Sequence, residues 1–62
     1  MNREDAINLM TETVNQVNMD IGYQHKVPMD ELKKMIDQQT EQVKYINTIV
    51  YDTLKSKGVI AE

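Results

Sequence analysis

Of the side chains that can do chemistry, this chain holds one imidazole, ten carboxylates and no thiol. His25, the imidazole, could move a proton or ligate a metal. Either task needs groups that converge on it, and its nearest acidic neighbour along the chain is Asp20. A solvated loop histidine is the simpler reading. Asp37 and Glu41 stand four apart on one helix face, as an acid/base or metal pair would. Asp30 with Lys34 and Lys33 with Asp37 show the same spacing with opposite charges, which describes a solvated face laced with weak ion pairs. The two glycines, Gly22 and Gly58, lie far apart and cannot build a phosphate cradle, and no HExxH pair occurs. These residues predict no enzyme, no cofactor and no metal. Met10 and Met35 read as core filler, whereas Met19 is the methionine expected to make an exposed contact.

The elements that position these residues are two helices. Asn2 is a favoured cap, with Glu4 and Asp5 near the positive end of the helix dipole. Ala6, Ile7, Met10, Val14, Val17 and Ile21 share one face, with Leu9 at its edge and Met19 off it. This predicts a helix over about 3–20, with Gly22 as its terminator. A reversal over 21–28 follows. Pro28 suits the first helical position, Asp30 and Glu31 suit the first turn, and Lys55, Lys57 and Gly58 mark the end. The second helix is therefore expected over about 29–57, with a tail over 58–62. Residues 1–62 read as a single all-α domain, a helical hairpin.

The long helix carries a heptad pattern. Met29, Ile36, Val43 and Val50 recur every seven residues, as do Leu32, Gln39, Ile46 and Thr53, and Met35, Ile49 and Leu54 widen the stripe. Gln39 leaves two readings open: a buried register-setting amide, or an edge residue turned to water. At about 1.5 Å per residue the helices span roughly 25 and 44 Å, so the shorter is expected to cover Leu32 to Val43 only. Beyond it Ile46, Ile49, Val50 and Leu54 would stand wet, a loss of several kcal/mol at about 1.5 to 3 kcal/mol per buried aliphatic side chain. A domain of 62 residues without disulfides has little stability to spare. A homodimeric helical bundle or coiled coil is expected, with Val43, Ile46, Ile49, Val50 and Leu54 at the oligomer interface. Met19, Tyr45 and Tyr51 are the candidate contacts for another partner.

Charge narrows the partners. The net charge is −3, with −2 over residues 1–27 and −1 over residues 28–62, and Arg3 is the sole arginine. Neither half is a basic patch, which weighs against nucleic acid. No basic segment precedes an apolar run, and no apolar run is long enough to span a membrane, so a cytoplasmic protein is expected. Met, Ile, Asn, Lys and Tyr total 25 residues, against 6 for Gly, Ala, Arg and Pro, which suggests an AT-rich genome such as a low-GC Gram-positive bacterium or its phage. A phage product would work in the host cytoplasm. The functional expectation is a noncatalytic protein–protein interaction module, a homodimeric regulator or inhibitor of an unidentified protein target. The alternatives are a DNA-binding transcriptional regulator and a coiled-coil structural or assembly component.

Overall fold

The structure, a computed structural model, describes residues 1–60. It contains two helices, α1 (Arg3–Gln24, 22 residues) and α2 (Met29–Ser56, 28 residues), packed antiparallel as a hairpin. Ala61 and Glu62, the end of the expected tail, lie outside the described residues.

The start of α1 follows the sequence. Asn2 Oδ1 accepts from the Asp5 backbone N–H at 2.8 Å, which satisfies one of the free donors at a helix N-terminus. Its end does not. The helix runs through Gly22 to Gln24, and the left-handed residue that stops it is Lys26, at φ 59°. The Val27 N–H reaches Gly22 O and the Lys26 N–H reaches Tyr23 O, at 3.0 and 3.1 Å, closing a Schellman motif. The same two bonds recur at the end of α2, where Gly58 (φ 76°) takes the left-handed place and the Val59 and Gly58 N–H groups reach Leu54 O and Lys55 O. Pro28 stands one residue before α2 rather than in it, and its carbonyl accepts from the Leu32 N–H at 2.9 Å.

Gly22 has a different task. A Cβ there would overlap Leu32, coming within 2.9 Å of Cδ2 and 3.2 Å of Cγ. Glycine costs about 1 kcal/mol in a helix interior relative to alanine, and here that cost admits a buried leucine against the helix backbone. The α1 backbone and a side chain of α2 thus meet directly just before the turn.

The extra turn of α1 overturns the expected overhang. At 1.5 Å per residue α1 is about 33 Å long and α2 about 42 Å. Arg3, at the start of α1, reaches Asp52, so α1 runs beside α2 from Leu32 to Asp52. Val43, Ile46, Ile49 and Val50 lie alongside α1 rather than beyond it, and Leu54 lies half-buried just past Asp52. The expected division of α2 into a covered half and a bare half is replaced by a division around its circumference.

The inward line of α2 is Leu32, Ile36, Thr40, Val43, Asn47, Tyr51 and Leu54, each buried or half-buried. The spacing repeats after 11 residues, at about 3.67 residues per turn, whereas a heptad implies 3.5. A heptad stripe drifts about 20° per repeat on a straight helix. Consequently Leu32, Ile36 and Val43 of the expected seam point inward, while Gln39, Ile46, Val50 and Thr53 have rotated outward. The inward line of α1 is Ile7, Thr11, Asn15, Asn18 and Gly22, so Val17 and Ile21 of its expected stripe stand exposed. Among the described residues, buried apolar side chains number four, Ile7, Leu32, Ile36 and Tyr51, and Thr11 and Asn47 are buried with them.

Two substitutions separate these roles of the turn. Gly22→Ala should cost about 1–3 kcal/mol in urea unfolding through overpacking on Leu32, and should become neutral or stabilising in a Leu32→Ala background. Lys26→Gly should gain about 1 kcal/mol in the same measurement, because it removes the left-handed strain of a residue with a Cβ.

Candidate functional site

His25 is exposed in the turn, and its backbone N–H reaches Ile21 O. Among the described residues, no three His, Cys, Asp or Glu side chains gather closely enough to hold a metal ion. A shallow open depression of about 310 Å³ is lined by Glu12, Asn15, Gln16, Met19 and Ile36, with Glu12 its one ionisable side chain. No described helix is long and apolar enough to cross a membrane.

Beyond the seating of Leu32 on Gly22, two polar features hold the hairpin in register. The first is a reciprocal pair of polar bridges. Asn47 Nδ2 of α2 donates to Thr11 Oγ1 of α1 at 3.2 Å, and Asn15 Nδ2 of α1 donates to Thr40 Oγ1 of α2 at 3.3 Å. Each threonine hydroxyl in turn donates to the carbonyl four residues back, Ile7 O and Ile36 O, at 2.8 Å. Both hydroxyls thus use donor and acceptor at once. Asn15 Oδ1 remains buried without a partner. The second is a bidentate ion pair, with Arg3 Nε and Nη2 donating to Asp52 Oδ1 and Oδ2, each at 2.9 Å. The hydrogen bonds from Arg3, and secondarily its charge, hold the Asp52 carboxyl below the usual carboxylate range. That depression places the pair's contribution at neutral pH and removes it as the pH falls through the depressed value. Both side chains are half-exposed, so the pair is screened by salt.

Tyr51 requires correction. Expected on the outward surface, it is 4% exposed, at a place in the 11-residue line that turns it toward α1. Tyr45 does stand out, at 67% exposed. Met19 is half-buried in the wall of the depression rather than fully outward. Among the expected interface residues, Val43 and Leu54 are half-buried on the inward line, while Ile46, Ile49 and Val50 are exposed, at 48%, 49% and 39%. Gln39 is exposed on the same outward stripe, which answers the question its heptad position raised.

That stripe has a counterpart on α1. On α2 it comprises Met35, Gln39, Gln42, Ile46, Ile49 and Thr53, with Val50 at its inner edge. On α1 it comprises Ala6, Met10, Thr13, Val17 and Ile21. Viewed from the N-terminus of each helix, the stripe lies roughly 110° to the same rotational side of the inward line, at about 100° per residue. Because the helices are antiparallel, this brings both stripes to one side of the hairpin. The result is a two-helix face of aliphatic, amide and hydroxyl side chains carrying no charge. The side chains that line the depression, Glu12, Gln16 and Met19, belong to the opposite side.

The sequence exposed this face as an apolar stripe but assigned much of it to the interior. Nothing in a hydrophobic pattern marks Thr11, Asn15 and Asn47 as inward, because the signal for them is the pairing of amide and hydroxyl across the helices. Thr11→Ala should cost about 1–3 kcal/mol in thermal or urea unfolding by leaving the Asn47 amide buried without its acceptor, and Thr11→Val with Asn47→Leu should recover most of that loss. The chain matches no protein-family model, and comparison with curated proteins and with solved structures returns no significant similarity.

Proposed function

We propose that this chain is a noncatalytic protein–protein interaction module that works as a homodimer and regulates or inhibits a protein target. The observation that carries this reading is the uncharged face shared by α1 and α2, on which Ile46, Ile49, Val17 and Ile21 are each about half exposed. Contiguous apolar surface of this kind marks contact with other molecules. The hairpin also has unusual need of such contact, since among the described residues its interior holds four buried apolar side chains, none of them wholly shielded from solvent. A sequence pI of about 5.0 and one arginine favour a protein target over nucleic acid. With the apolar face occupied by a second copy, Tyr45 at its outer edge and Met19 on the far side are among the apolar contacts left for that target. The AT-rich residue usage fits a phage or prophage product acting in its host's cytoplasm.

Sedimentation tests the self-association. The unmodified chain should be a dimer at micromolar concentration, and Ile46→Asp should weaken the dimer at least about 100-fold by placing a charge in the contact. A stable monomer for the unmodified chain overturns the reading.

A further inference from the structure

The outward face has an internal order that says how a second copy would sit on it. Along α2 the residues Met35, Gln39, Gln42, Ile46, Ile49 and Thr53 alternate by four and three, a heptad seam in its own right. Along α1 the seam is Ala6, Met10, Thr13, Val17 and then Ile21. The cross-links of the hairpin fix the relative height of the two. Arg3 lies level with Asp52, Thr11 with Asn47 and Asn15 with Thr40. The middle of the α1 seam, between Thr13 and Val14, therefore lies level with Gln42. Each seam is polar near its middle, at Gln39 and Gln42 on α2 and at Thr13 on α1.

Three observations select another copy of this chain as the occupant. The face carries no charge, so two chains of net charge −3 can meet there without opposing like charges, whereas a basic partner would find nothing to pair with. Its extent, within a hairpin of 40 × 19 × 17 Å, is of the order of the roughly 800 Å² that each partner contributes to a standard stable interface. The amides at mid-height each carry donor and acceptor, so a residue placed on a two-fold axis can bond to its own mate.

Resting on the homodimer reading above, we infer that two hairpins stack face to face as an antiparallel four-helix bundle, α1 on the second copy's α1 and α2 on its α2, with the two-fold axis level with Gln42. This stacking sets Gln42 beside its mate, Met35 near the second copy's Ile49, and Met10 near the second copy's Val17. The competing stack, with the two-fold parallel to the helices, lays α1 over the second copy's α2. It would set Gln42 against the second copy's Thr13, whose hydroxyl already donates to Leu9 O. The Gln42 carbonyl would then be buried without a donor, whereas beside its own mate each Gln42 amide finds both donor and acceptor, and this disfavours the competing stack.

The chain has no cysteine, so single cysteines report the arrangement directly. Gln42→Cys and, as a second probe at the same level, Thr13→Cys are treated with a short bifunctional maleimide alongside Thr53→Cys, with sedimentation run on each. In the antiparallel stack the two Thr53 positions stand about 33 Å apart along the axis. Gln42→Cys and Thr13→Cys should form covalent dimers at least about tenfold faster than Thr53→Cys, because linking within the dimer is intramolecular. Dimers in which Thr53→Cys links as fast as the mid-height variants, or in which no variant links, overturn the antiparallel stack and leave the homodimer standing. Monomers throughout, the unmodified chain included, overturn both.

Discussion

The seating of Leu32 on the bare backbone at Gly22 is the constraint from which the rest of the hairpin follows. It brings the helices together one turn before the reversal and fixes their rotation. Lys26, forced left-handed, then closes α1 within hydrogen-bonding reach of Gly22 itself. From that anchor α1 has the length to run back to Asp52, and the inward line of α2 is set to an 11-residue repeat. A straight pair of helices in this register cannot also bury a heptad stripe, because the two periods diverge steadily along the helix. The apolar stripe of the sequence is thereby divided, part inside the hairpin and part on one flank.

Much of what fills the inside is accordingly polar or small. Thr11, Asn15, Asn18 and Gly22 give α1 little apolar area to offer, and Asn47 and Thr40 answer them from α2. Such contacts contribute modest net stability, since each replaces a hydrogen bond to water, but they are costly to break once buried. They act as a register lock. A slip of one turn would separate both Asn–Thr bridges and the Arg3–Asp52 pair together.

Much of the architecture was legible in the residues. Asn2, Gly58 and the acidic first turns announced the ends of the helices, and the 3.6-residue pattern announced their number. Where the sequence misled, it did so for stated physical reasons. Gly22 carries the same freedom whether it ends a helix or admits a neighbour, and only Leu32, ten positions on, decides between them. The heptad expected in α2 is divided: Leu32, Ile36 and Val43 face α1, whereas Gln39, Ile46 and Thr53 belong to the outward stripe. Tyr51 looked like a surface aromatic because nothing local distinguishes period 11 from period 7 over so short a stretch. The Arg3–Asp52 pair joins the two ends of the chain, a separation at which spacing carries no signal.

The small number of apolar side chains within the hairpin, Ile7, Leu32, Ile36 and Tyr51, has a consequence for the life of the protein in a cell. On the proposed assembly, folding and association draw on the same apolar surface, so the folded fraction rises with the amount of chain present. Newly made chains at low abundance would be open to proteolysis and cleared quickly, whereas a burst of synthesis would carry them past the association threshold and into a long-lived form. Abundance itself would then act as the switch, with no modification or ligand required.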